Sequence, residues 1–374
     1  MRSRLLVAVA ASAAVIMSAP FIRDIRDFIK STFPGHYVTV VVVAVSLAIA
    51  AALVAAAVRI RDRRAARYGA IAAAFVLATS YALWNAQGNL EVDAVERFHF
   101  VEYGLITFLY YRAFRPLGDV SILVLPIFAG LIVGTCEEWL QWFIPGRIGD
   151  MRDIFLNGAA IVSGMLFSIG VDPPDGMSFA RRSGSLRRIG VAAAVTTFVF
   201  AVFVQVVHLG KGIADPDAGM FRSRYDKAAL LDLARQRTAE WAVAPPLTRP
   251  RSLSREDQYM SEGHLHVAER NRQWSAGNFR AAWSENLILE TYYAPVLDAP
   301  SFLSKTGHRW PDAQRADGQE RVRAAAPPAQ PYDSMADATE GQHFIRTWPP
   351  STFWLAIAAA IAAILSFTIG FDRR

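Results

Sequence analysis

Cysteine is nearly missing from this 374-residue chain: Cys136 stands alone. That excludes an intramolecular disulfide framework and leaves the redox compartment open. Charge is scarce as well. Acidic and basic residues make up 19% of the sequence, against roughly 25% in ordinary globular chains. Close-spaced His/Cys sets, a P-loop, a dinucleotide glycine loop and a nucleophile motif are all lacking, so no metal and no cofactor is expected.

What the chain has in excess is hydrophobic residue, 53% of the total. The apolar residues fall in long charge-free runs separated by short charged segments, the pattern of membrane spans. A bilayer core takes roughly 17 to 25 apolar helical residues to cross. Runs of that kind are Leu5–Ile22, Tyr37–Val58, Tyr68–Trp84, Phe98–Phe114, Val120–Phe143, Ile154–Val171, Ile189–His208 and Thr352–Gly370. His99 and Glu102 make the fourth the least apolar. The expected fold is an all-α polytopic membrane protein of about eight transmembrane helices, with a mainly helical insertion before the last. The formal net charge of +6 does not point to nucleic acid, because the surplus cations flank apolar runs, where they orient helices.

Orientation follows from arginine placement. Arg2 and Arg4, the run Arg59–Arg67, Arg112 and Arg115, Arg181 to Arg188, and Arg373 and Arg374 all fall on one side if eight segments cross. That side is the cytoplasm, so both termini are expected there, in a bacterial inner membrane. Residues 1–67 read as a transmembrane hairpin, 68–188 as a central unit, 189–208 as a single span, 209–350 as an extracytoplasmic domain and 351–374 as the last span with its tail. The first run also has features of a secretory signal, ending at Met17-Ser-Ala-Pro20; an uncleaved anchor is expected from its length.

Residues 209–350 carry helix-like stretches at Tyr225–Trp241 and Arg255–Tyr293, a linker around Pro245, Pro246 and Pro250, and a proline-rich tether at Ala324–Pro331. Its acids and bases nearly balance, which again excludes nucleic acid. His264 and His266 alternate in a helical context, where residues two apart diverge; an ordinary surface pair is expected.

Ionisable groups within spans cost about 2.5 to 3.5 kcal/mol each on insertion scales, so each requires a reason. His99, Glu102 and Tyr103 share one helical face. Glu137, Glu138 and Gln141 close the fifth span, with Glu138 and Gln141 spaced to share a side. A Pro145-Gly146 turn with Arg147 follows. Asp150, Asp153 and Asn157 then form a stripe at the mouth of the sixth span. With the expected topology all of these reach one extracytoplasmic level.

These residues resemble a known family. Glu96-Arg-Phe-His99-Phe-Val-Glu-Tyr103-Gly-Leu105 looks like the first signature of VanZ-like proteins, and Cys136-Glu-Glu138 through Gln141, Pro145-Gly146-Arg147, Asp150, Asp153 and Asn157-Gly158 looks like the second. The usual Asp-Glu pair is Glu137-Glu138 here, and Arg97 stands where a lysine is usual. The resemblance spans under a third of the chain and implies an envelope membrane protein; the founding member is associated with low-level glycopeptide resistance.

Two uses of the cluster follow besides proton or ion movement, for which the acidic groups lie on one leaflet only and no relay crosses the membrane. In the first, His99 and Glu138 act as an acid–base pair. Glu102, Tyr103, Gln141, Arg147, Asp150, Asp153 and Asn157 then bind a substrate, with the planar fork of Arg147 suited to phosphate or carboxylate. The ligand would be a membrane lipid or a lipid-linked envelope intermediate. In the second, the polar groups only tie helices together, and 209–350, with Trp241, Trp274, Trp283 and Trp310, recruits an envelope protein partner. The residues leave open whether the chain is an enzyme.

Overall fold

The computed structural model describes all residues except 87, 145–148, 150, 175–183, 247–256, 302–303, 326–329, 337–344 and 373–374. The chain is an all-α polytopic membrane protein that divides into two compact units. The first is Met1–Glu138, Met151–Val202 and Trp354–Arg374; the second is Trp139–Asp150 and Phe203–Phe353.

The first unit contains α1 (Arg2–Ser18), α2 (Ile22–Thr32), α3 (Tyr37–Arg59), α4 (Arg64–Trp84) and α5 (Leu90–Phe114). It continues with α6 (Ser121–Gln141), α7 (Met151–Val171), α8 (Ser185–His208) and, after the second unit, α14 (Pro350–Asp372). The last residues of α6 and α8 pass into the second unit. Among the described residues seven helical stretches are long and apolar enough to cross a membrane; α5 is not among them. Its 25 residues suffice in length, but its composition is too polar.

Packing explains the exception. α5 lies against α1, α3, α4 and α7, and it buries Tyr103, Ile106, Thr107, Tyr110 and Tyr111. The packed face of α5 touches protein rather than lipid, so it tolerates polar groups that a lipid-facing one does not. α3 is the opposite case. It is apolar nearly all round, with almost none of it covered, as a lipid-facing span should be.

α5 and α7 meet through small residues. A Cβ added at Gly164 would lie 2.7 Å from the Gly104 Cα, so the backbones touch directly, the close approach on which van der Waals packing in membranes depends. At one end of the unit, Arg67 of α4 donates to the carbonyls of Gly170 (2.8 Å) and Val171 (2.6 Å), satisfying the C-terminus of α7. Arg115 pairs with Asp172 at 3.2 Å and Arg188 with the buried Asp119 at 2.5 Å at the same arginine-rich end. At the other end Lys30 pairs with Glu91 (2.6 Å), and Arg152 of α7 binds Glu96 of α5 (2.6 Å) and both Oδ1 and the carbonyl of Asn85. Asn89 caps α5 there, accepting from the backbone N–H of Glu91 at 3.0 Å.

The second unit is a small domain with its own core. An antiparallel hairpin, β1 (Lys211–Asp215) and β2 (Gly219–Ser223), opens it. Gly219 has φ +97° and no room for a Cβ, which would lie 2.4 Å from the Tyr332 carbonyl. Helices α9 (Lys227–Val243), α10 (Asp257–Ser275), α11 (Phe279–Tyr292), α12 (Ala294–Asp298) and α13 (Asp312–Ala324) follow. Gly277, at φ +78°, turns α10 into α11. The core joins Ile213, Phe221, Leu230, Trp241, Tyr259, Ile288 and Tyr292. The segment after Pro331 first runs beside β2, where Tyr332 accepts from the Met220 N–H at 2.7 Å, before the chain reaches α14.

Two fully buried carboxylates organise the interior. Glu262 accepts from Ser223, from the backbone and guanidinium of Arg224, and from Tyr293. Glu285 meets His266 (2.7 Å), Tyr332 and Ser334. The surface pair expected of His264 and His266 is therefore not found. His266 is a core residue, and His264 packs edge-on against His308 with ring centroids 5.1 Å apart. Burial, then the neighbouring His308, lowers the pKa of His264 to about 3. Their faces do diverge as residues two apart must, but both turn into protein.

Arg224 ties the loop after α6 into this domain. Its guanidinium lies 4.1 Å from the centre of the Trp142 ring, while Nε donates to the Val207 carbonyl (2.7 Å) and Nη1 to Glu262 (2.9 Å).

Candidate functional site

The site begins on the interior face of α5. His99 and Tyr103, four apart, stack with centroids 6.1 Å apart and planes 10° from parallel, as the spacing predicts. Tyr103 is fully buried and donates to Glu137 Oε2 at 2.5 Å. Glu102, Glu137 and Glu138 all act electrostatically on Tyr103, and Glu102 also feels His99.

From α7 comes Asn157. It is 1% exposed, and among the described residues neither its amide nitrogen nor its amide oxygen has a hydrogen-bond partner. Gly134 of α6 makes room for it: a Cβ there would lie 3.1 Å from Asn157 Nδ2 and 3.3 Å from Tyr103 Cε1. Three helices thus meet at Gly134, Tyr103 and Asn157. Nδ1 of His99 is a further buried nitrogen without a partner among the described residues. Unsatisfied buried polar atoms cost about 1 to 3 kcal/mol each, and each requires an explanation.

His99 and Glu102 lie near Tyr103 and Glu137, Asn157 packs at Gly134 beside Tyr103, and Glu138 is fully buried. Among the described contacts, the carboxylate that accepts directly from Tyr103 is that of Glu137, and Glu138 acts on Tyr103 electrostatically. The reason lies in the helix wheel. Gly130, Gly134, Glu137 and Gln141 fall at i, i+4, i+7 and i+11, one stripe of α6, whereas Glu138 is rotated off it by about 100° from Glu137. At Gly130 and Gly134 side chains of α7, Ile161 and Asn157, approach closely, so the residue in line with them faces the neighbouring helices. The stripe was the available signal.

Asp153 is half-buried and acts electrostatically on Tyr81 along with Arg152 and Glu96, which sets it on the α4 side of α7. Gln141 is the last residue of α6 and is buried. Arg147 and Asp150 lie outside the described residues. Arg152, which spacing did not single out, holds the end of α4 and the start of α5 together. Its only sequence cue is an arginine beside a span mouth with Glu96 available. Among the described residues no group of three or more His, Cys, Asp or Glu is arranged to hold a metal.

Fold and site together define a polytopic helical membrane protein with an acidic and aromatic cluster buried where three of its helices meet. Comparison adds that residues 61–171 match the family model described as VanZ/LLP1, and over that segment the chain carries a VanZ-like domain. The match takes in α4 to α7, the helices that build the cluster. Comparison with curated proteins and with solved structures gives no match.

Proposed function

We propose that this VanZ-like protein binds the head group of a membrane amphiphile, a phospholipid or lipid-linked envelope intermediate, in the cluster around Tyr103 and Asn157. In this reading the protein sits in a bacterial inner membrane with both termini in the cytoplasm and residues 209–350 outside. Its occupancy affects susceptibility to glycopeptides. The observation that carries the proposal is Asn157: a buried amide whose donor and acceptor meet no partner among the described residues, set beside a close-packed glycine and a tyrosine–carboxylate pair. A ligand's hydroxyl or phosphate would meet both needs of that amide. The Tyr103–Glu137 pair and His99 Nδ1 supply groups that can hold or pass a proton.

Asn157→Leu tests this, since it removes both polar atoms and keeps the branched shape of the side chain. The folded, inserted variant is expected to lose bound lipid in native mass spectrometry and to match a deletion strain in glycopeptide susceptibility. Full lipid retention and full activity would remove the basis of the proposal. Glu138→Gln and Arg147→Ala extend the test to residues that the sequence alone nominates.

A further inference from the structure

Between α1 and α3 lies α2, an eleven-residue helix in which no residue is buried. Its sequence divides cleanly. Ile22, Ile25, Phe28, Ile29 and Thr32 fall on one face, and Arg23, Asp24, Arg26, Asp27, Lys30 and Ser31 fall on the other. The apolar face is largely uncovered: Phe21 is 58% exposed, Ile25 50% and Phe28 67%.

What covers it follows from where the helix is tied. α1 has 17 residues, about 26 Å at 1.5 Å each, close to the ~30 Å of a bilayer core. It ends in a 3-10 turn, Ala19–Phe21, that contains Pro20. After α2 only Phe33–His36 precede the next span, α3. Lys30 meanwhile pairs with Glu91 in the first turn of α5 at 2.6 Å and sits 5.2 Å from the Tyr37 ring centre. The helix is therefore pinned at the level where α3 and α5 begin, and it has too little chain to leave the membrane surface.

We propose that α2 lies in the interfacial zone of the bilayer, with Phe21, Ile25 and Phe28 in the acyl boundary and its charged face toward water. Its own charges nearly cancel, Arg23 and Arg26 against Asp24 and Asp27, and Lys30 is already engaged. Apolar burial drives the docking, so lipid charge has little effect on it.

Nitroxide scanning of the reconstituted full chain tests this. Single cysteines replace Asp24, Ile25, Asp27, Phe28 and Ser31 in a Cys136→Ser background, or Cys136→Ala where that folds better. A label at Val54 of α3 reports correct insertion. In phosphatidylcholine vesicles, labels at positions 25 and 28 are expected to be relaxed mainly by oxygen, and those at 24, 27 and 31 mainly by an aqueous nickel chelate. Added phosphatidylglycerol should leave the contrast unchanged. Exclusion of both reagents at 25 and 28 would mean that protein, such as a second copy, covers the face. Nickel access all round would place the helix in water. Either result overturns the proposal, as does a contrast that appears only with anionic lipid.

Discussion

Arg224 stacks its guanidinium on Trp142 at 4.1 Å while the same side chain donates to the fully buried Glu262. One residue thus binds a loop from the end of α6 and neutralises an interior carboxylate. Arg224→Ala should destabilise the second unit by about 3 to 5 kcal/mol, because Glu262 stays buried without its cation. Arg224→Lys keeps the charge but loses the planar stack, and should cost less. Tryptophan fluorescence during thermal unfolding of the solubilised chain checks the order.

The Tyr103–Glu137 hydrogen bond should appear as coupling. Tyr103→Phe and Glu137→Gln are each expected to cost about 1 to 3 kcal/mol. Together they should cost measurably less than their sum, by more than about 0.5 kcal/mol. Tyr103→Phe combined with Ser168→Ala, whose hydroxyl bonds within α7, should be additive. Additivity in both pairs would show that the bond contributes nothing.

Glycines on α7 should respond by position. Gly164→Ala places a methyl 2.7 Å from a backbone carbon of α5, where nothing flexible can yield; a loss of at least about 1 to 3 kcal/mol is expected. Gly158→Ala meets only Leu131 Cδ2 at 3.7 Å, an ordinary contact, and should be neutral or slightly stabilising through helix propensity. Retention of monodisperse protein after heating in detergent separates the two.

His264 makes a pH prediction for the second unit. Burial and His308 hold its pKa at about 3, while the unfolded chain takes the proton near 6.5. Between those values the unfolded state binds the extra proton, so stability falls as pH drops from about 6.5 toward 3, by at most about 1.4 kcal/mol per pH unit. His264→Phe should flatten that slope. Unfolding midpoints of both proteins across this range are the measurement, and equal slopes would remove His264 as the cause.

Much of the membrane part is written in the sequence, because a span must be apolar wherever it meets lipid. The signal weakens where much of a helix packs on protein, and α5 shows this: Phe98–Phe114 is the least apolar of the runs, while the His99–Tyr103 spacing still marks its interior face. For the site, spacing within one helix was legible and contacts between helices were less so. The adjacent Glu137 and Glu138 look equivalent until the line through Gly130 and Gly134 is drawn. That the Asn157 amide has no partner among the described residues is a property of three helices at once, which no single stretch encodes. In the second unit helical periodicity marks much of α9 to α11, but the hairpin has strands of only five residues each, too short for alternation to stand out. Nothing near Trp142 announces Arg224.

That last separation has a consequence in time. Arg224 follows Trp142 by roughly eighty residues, and synthesis proceeds at about 5 to 20 residues per second. For several seconds the loop after α6 is therefore made and threaded while the side chain that will grip it does not yet exist. Glu262, which holds that side chain, comes later still. The VanZ-like segment can be complete as a polymer well before its closing loop is complete as a structure, so a ribosome that stops after α7 leaves that loop without its clasp.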